Sequence, residues 1–104
     1  MKSKWHPEAK RAMLDVAHYI QVKFGTKARK EFLSKVQNEE NLLRRSPNIG
    51  MIDPLFNDRP ITYRSVIING LNKMVYYVED STLYIAGFWD TRQEPEAQAA
   101  QVKE

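Results

Sequence analysis

The spacing of apolar residues changes once along the chain, and this change constrains the fold class most strongly. Apolar side chains recur every three or four residues in Ala9–Phe24 and again in Ala28–Leu43, which places them on one face of a helix. Pro7 suits a first helical position, Gly25 suits a helix end, and Thr26 is expected to cap a second helix. The pattern predicts two amphipathic helices that fold back as an antiparallel hairpin.

The second part of the chain is rich in β-branched and aromatic residues, which favour strands. Three such runs cover residues 61–68, 73–78 and 82–89, and turn residues separate them. Short turns between successive strands predict an antiparallel meander. Residues 1–6 are expected to add a short strand, whereas residues 47–60, with three prolines and little periodicity, predict a loop.

Together these elements predict an α+β domain. The N-terminal helical hairpin, preceded by a short strand, is expected to pack on one face of a small antiparallel sheet. The single domain is expected to span residues 1–95, and residues 96–104 to form a polar C-terminal tail. Because neither helix is apolar all round, both should cover the same face, leaving the other face or its rim open for function.

Charge is divided unevenly along the sequence. Residues 1–45 hold 11 Lys and Arg against 5 Asp and Glu, whereas residues 46–104 hold 5 against 8. A basic first part suits an anionic partner, either nucleic acid or an acidic protein segment, although a solvated helix surface would have the same composition. Charge alone therefore leaves the partner open.

Several classes of protein are disfavoured by what the sequence lacks. There is no cysteine, so neither a disulfide framework nor a thiolate metal site is possible. No apolar run follows the first lysines, so no signal peptide is expected, and no apolar run reaches the ~18 residues that a membrane span needs. It also has no glycine-rich phosphate loop and no metal-ligand spacing. We therefore expect a cytoplasmic protein with no metal, no cofactor, no small-molecule substrate and no membrane attachment.

Two arginines in the strand region are candidate site residues. Arg64 interrupts an apolar run and Arg92 follows the last one, so both could reach the same end of the meander. Two guanidinium groups there could bind a phosphate or a carboxylate in forked geometry. Alternatively, each could pair structurally with Asp58, Asp90 or Glu94 at a strand end. Strand aromatics on an open face could stack on bases.

A series of short motifs resembles the RelE/ParE superfamily of toxins. The motifs are Pro7-Glu8-Ala9 and Tyr19-Ile20 in the first helix, Phe24-Gly25 at the turn, Leu42-Leu43 before Pro47, and Tyr63-Arg64-Ser65, Tyr76-Tyr77-Val78 and Leu83–Phe88 in the strands. The resemblance covers residues 5–95, and the long hairpin is closer to ParE. It implies a toxin of a bacterial type II toxin–antitoxin system, neutralised by a cognate antitoxin from the same operon and associated with plasmid stabilisation.

The superfamily implies two possible activities. ParE-like members inhibit DNA gyrase and have no hydrolytic site, whereas RelE-like members cut mRNA in the ribosome. For a nuclease, the resemblance assigns the scissile phosphate to Arg64 and Arg92, with Asp90 as a possible base. Trp89 stands where many relatives have His, and an indole N–H only donates, so Trp89 cannot be a general base.

ParE-like inhibition of gyrase is therefore the preferred interpretation. A RelE-like ribosome-dependent mRNA endonuclease is an alternative, and so is a non-toxic nucleic-acid-binding module or a decayed toxin. Whether the protein is an enzyme stays open. The residues expected to bind the target or the antitoxin are Lys23, Lys27, Arg29, Lys30 and Trp89.

Overall fold

The computed structural model describes residues 1–91 and 95–102 as a five-stranded sheet with helices on both faces. The elements are β1 (Lys2–Trp5), α1 (Pro7–Phe24), α2 (Thr26–Arg45), β2 (Met51–Ile52), a 3₁₀ turn (Pro54–Phe56), β3 (Arg64–Ile68), β4 (Asn72–Glu79), β5 (Thr82–Asp90) and α3 (Pro95–Gln101). The α+β prediction is confirmed. In the described ranges, no helix combines the length and the apolar character needed to cross a membrane.

The sheet has the strand order β1-β5-β4-β3-β2. β3, β4 and β5 form the predicted antiparallel meander, and β1 pairs with β5 in parallel. The first strand of the meander begins at Arg64 rather than at Ile61. The loop prediction for residues 47–60 is wrong in part. β2 lies there because Met51 and Ile52 pair with β3, and the 3₁₀ turn follows because Asp53 accepts a hydrogen bond from the Leu55 amide.

The hairpin covers one face of the sheet, as predicted. Ala9, Met13 and Ala17 of α1 are buried, and small side chains let this helix approach the sheet closely. These three residues belong to a buried apolar cluster between the hairpin and the sheet. The cluster also contains Phe32, Val36 and Leu43 of α2 and, from the strands, Ile68, Met74, Tyr76, Leu83, Ile85 and Phe88. Both helical stripes therefore meet a single apolar surface.

The junction between the two helices is one residue long. Gly25 has φ +99°, a conformation that L side chains rarely adopt, and its N–H donates to the Gln21 carbonyl. Gly25 both ends α1 and precedes α2, so Thr26 is the first helical residue and makes no capping bond. The predicted Thr26 cap is wrong because so tight a turn leaves no separate capping position.

The second face of the sheet is partly covered, contrary to the open face expected from the sequence. The 3₁₀ turn and α3 pack there around a second buried cluster: Phe56, Tyr63, Val75, Ala86, Trp89 and Val102. Arg59 donates to the carbonyl oxygens of Ala99 at 2.9 Å and Val102 at 2.6 Å. Residues 96–102, expected to be a polar tail, are thereby fastened to the sheet.

Candidate functional site

An apolar groove of about 500 Å³ opens between the junction of the two helices and the β3–β4 turn. Val16, Tyr19 and Ile20 of α1 line one wall at helical spacing, and Phe32 belongs to α2. Leu71 closes the groove from the turn. Phe32 is buried whereas Tyr19 and Leu71 are exposed, so the apolar lining runs from the core to the surface.

The groove exposes large apolar side chains. Tyr19 is 57% exposed and Phe24 is 66% exposed, although the sequence pattern places Phe24 in the buried stripe. That prediction is wrong because Phe24 is the last residue of α1 and lines the open groove at the helix junction. Asp15, Glu31 and Lys35 add charges of both signs to the lining. A contiguous apolar surface with a polar rim is typical of a site that binds another protein.

The basic residues predicted to bind a partner lie beside this groove rather than in it. Lys23, Lys27 and Lys30 are exposed, and Arg29 is half-buried. The Lys23 ammonium lies 5.7 Å from the centre of the Tyr19 ring. The junction thus combines an apolar groove with neighbouring positive charge, which suits an amphipathic partner segment that carries acidic residues.

Arg64 is engaged with the backbone. Its guanidinium donates to the Gly50 carbonyl at 2.8 Å and to the Asn48 carbonyl at 3.5 Å. It lines a cavity of about 300 Å³ that also contains Thr62 and Tyr77. Within the described ranges, then, Arg64 holds the chain that leaves α2, and it uses carbonyl oxygens rather than the carboxylates considered from the sequence.

Tyr76 of β4 also binds the segment that follows α2. Its hydroxyl donates to the Pro47 carbonyl at 2.6 Å and accepts from the Gly50 amide at 2.9 Å. Burial raises the pKa of this hydroxyl, and the Gly50 N–H and the Arg64 charge offset part of that shift. A Cβ on Gly50 would lie 2.5 Å from the Tyr76 oxygen, so the chain approaches the ring this closely only with glycine.

Asp90, the predicted base, is not brought to Arg64. Asp90 pairs with Asn72 at one end of β4, and Arg64 pairs with Tyr76 four positions further along the same strand. At the usual rise of a strand, the backbones of Asp90 and Arg64 are therefore at least roughly 13 Å apart. Asp90 is half-buried and lines the hairpin groove instead. Arg92 lies outside the described residues.

Trp89 lies inside the molecule. It is 3% exposed and packs in the second cluster, with the Phe56 ring centre 6.3 Å away. The Lys73 ammonium, which pairs with Asp53 at 2.5 Å, lies 5.6 Å from the Trp89 ring centre. The Trp89 indole N–H is buried and has no hydrogen-bond acceptor among residues 1–91 and 95–102. The ring therefore offers no surface to a partner while α3 is in place.

One polar pair was missed in the sequence. His6 Nε2 lies 2.9 Å from the Tyr77 hydroxyl, and the His6 ring meets Tyr77 and Tyr84 edge to face. The partners are 71 residues apart, so no local pattern points to them. Across residues 1–91 and 95–102, no group of three His, Cys, Asp or Glu side chains is placed to hold a metal ion.

Comparison with known proteins gives a consistent result. A model of the family described as the ParE toxin of type II toxin–antitoxin systems, parDE, matches residues 3–95. A solved chain from the chromosomal ParDE system of P. aeruginosa superposes with a TM-score of 0.69 at 15% identity, covering 86% of this chain and 95% of that chain. At this identity the superposition supports the fold alone. No curated protein sequence matches the chain.

Proposed function

The chain belongs to the ParE family of toxins of type II toxin–antitoxin systems, and from this membership we propose that it inhibits DNA gyrase in the cytoplasm and is neutralised by a cognate antitoxin. The family match over residues 3–95 is the observation that carries the proposal. Gyrase is the target that ParE-like members are expected to share.

The arrangement of the arginine region favours inhibition by binding over RNA cleavage. The Arg64 guanidinium is held by two carbonyl oxygens, which compete with a phosphate for its donors. Asp90 is too distant to act as a base for a phosphate bound at Arg64. Trp89 is buried and its ring nitrogen only donates. A gyrase inhibitor needs none of these groups for catalysis.

For the antitoxin, we propose the hairpin groove as the binding site. Its apolar floor would bury the apolar side chains of an antitoxin segment, and each fully buried large aliphatic side chain contributes about 1.5–3 kcal/mol. Lys23, Lys27, Arg29 and Lys30 beside it would attract acidic residues of the same segment. The four basic residues therefore remain proposed binding residues, whereas Trp89 is buried and has a structural role.

The proposal is tested by inducing the chain in a bacterial host, with and without the neighbouring gene. We expect growth arrest, DNA damage and intact mRNA, and we expect co-expression of the neighbouring gene to restore growth. In vitro, the purified chain should inhibit supercoiling of relaxed plasmid by gyrase.

The alternatives give different results in the same experiment. Cleaved mRNA that Arg64→Ala protects would identify a RelE-like endonuclease and reject gyrase inhibition. Unchanged growth at matched expression would identify a decayed toxin or a non-toxic binding module. Arg11→Ala is the matched control for Arg64→Ala, because Arg11 is an exposed arginine of α1 outside the candidate sites.

A further inference from the structure

The outward side of α2 carries an unbroken row of hydrogen-bond donors. Residues at spacings of three and four form this row, which we call the α2 donor face: Lys27, Lys30, Ser34, Asn38, Asn41 and Arg45. All are exposed except Asn41, which is half-buried. At 3.6 residues per turn these positions share one side of the helix, opposite Phe32, Val36 and Leu43. The row therefore faces away from the sheet along the whole helix.

Two of the three acidic residues of α2, Glu39 and Glu40, lie away from this face, and the third, Glu31, is exposed at its edge. Glu40 accepts hydrogen bonds from the Ser3 hydroxyl at 2.5 Å and the Trp5 indole at 3.0 Å, so it serves to fasten β1. Glu39 lines a groove on the side of β2 and β3. Glu31 flanks the α2 donor face, four residues from both Lys27 and Lys35, a spacing at which opposite charges attract. The six residues of the donor face therefore carry positive charge at both ends and none between them, and Glu31 at its edge offsets part of the charge at the Lys27 end.

This distribution matches the requirements of a helix that binds duplex nucleic acid. Phosphates are contacted by Lys and Arg, whereas Asn and Ser side chains reach base edges or sugar and phosphate oxygens. Lys27 and Lys30 lie at one end of the face and Arg45 lies at the other. Because a helix rises about 1.5 Å per residue, about 27 Å of helix separates Lys27 from Arg45. Asn38 and Asn41 lie between them, where base edges would be. The Asn41 oxygen accepts hydrogen bonds from Gln37 at 3.2 Å and Arg44 at 3.5 Å, so Asn41 would contribute its amide N–H groups.

We propose that α2 binds double-stranded DNA through the α2 donor face, with the helix lying in the major groove. B-form DNA has a major groove about 12 Å wide, which admits an α-helix, whereas that of A-form RNA is too narrow for side chains to read. This inference does not rest on the proposed inhibition of gyrase, because DNA binding is a property of the isolated chain. The α2 residues that line the hairpin groove, Ala28, Glu31, Phe32 and Lys35, are not part of the donor face, whereas Lys27 and Lys30 near the helix junction are shared by this proposal and the antitoxin proposal.

The test measures fluorescence anisotropy of a labelled DNA duplex of about 20 base pairs with the purified full chain, between about 50 and 200 mM salt. We expect binding in the micromolar range, with affinity falling steeply as salt rises. The triple variant Lys27→Gln, Lys30→Gln, Arg45→Gln should bind at least about tenfold more weakly, with a log–log salt slope shallower by about 2–3.

The matched control is Lys2→Gln, Lys4→Gln, Arg11→Gln, which changes net charge equally at exposed residues outside the donor face. We expect this control to keep most of the affinity. Equal losses in both triple variants, or no binding at the lowest salt, would overturn the proposal. Tighter binding to an RNA duplex or to single-stranded DNA of the same sequence would overturn it as well. Circular dichroism confirms that each variant is folded.

Discussion

Tyr76 links the sheet to the chain that leaves α2 through two hydrogen bonds from one hydroxyl. Tyr76→Phe leaves the Pro47 carbonyl and the Gly50 amide without this partner in a buried region. Because unmet buried polar groups are costly, we expect the free energy of unfolding to fall by about 1–3 kcal/mol. Urea denaturation at neutral pH measures this loss. Tyr19→Phe, at an exposed tyrosine, should leave stability unchanged.

The same substitution should alter the alkaline part of the stability profile. Burial raises the pKa of Tyr76 in the folded chain above its ordinary value of 10.0. The unfolded chain therefore loses this proton first, so the stabilisation is complete below pH 10 and declines as pH rises towards the folded pKa. The stability difference between wild type and Tyr76→Phe should shrink above pH 10. A difference that stays constant across that range would contradict this assignment.

Among the elements, the helical hairpin depends on the backbone conformation of Gly25. Gly25→Ala should destabilise the protein by about 1–3 kcal/mol, because only glycine adopts φ +99° without strain. A Cβ there meets nothing within 4 Å, so no clash contributes to the loss. Thermal denaturation measures it. Thr26→Ala should shift stability by less than about 0.5 kcal/mol, and a larger loss would mean that Thr26 caps α2 in solution.

A second element, α3, is joined to the loop after the 3₁₀ turn by Arg59, which donates to the Ala99 and Val102 carbonyls. The Arg59 guanidinium also lies over the Phe56 ring, 4.9 Å from its centre, so its removal weakens the turn and the helix together. We expect Arg59→Ala to reduce stability by about 2–4 kcal/mol and to increase hydrogen exchange throughout α3. Arg45→Ala is the control, since Arg45 is exposed. Unchanged exchange in α3 would show that the Ala99 and Val102 carbonyls do not depend on Arg59.

Across the whole molecule, the parts predictable from sequence are those encoded by local periodicity. The stripes from Ala9 to Leu43 and the strand runs after residue 60 depend on residues close in sequence, so the hairpin and the meander were predicted. The cover over the second face depends on Arg59 reaching Ala99, 40 residues away. Arg64 bonds to carbonyl oxygens, which every residue possesses, so its partners carry no sequence signal. Long-range contacts of this kind become visible only in the folded chain.

At this largest scale, the hairpin groove should separate neutralisation from toxicity. Phe24→Asp places a carboxylate in the apolar groove, while the side chain is already largely exposed, so folding should change little. We expect the variant to arrest growth and to resist rescue by the neighbouring gene. Val22→Asp, at a 74% exposed residue outside the groove lining, should be rescued normally. A Phe24→Asp variant that is harmless by itself would instead assign the groove to the cellular target, and one that is fully rescued would remove the antitoxin from the groove.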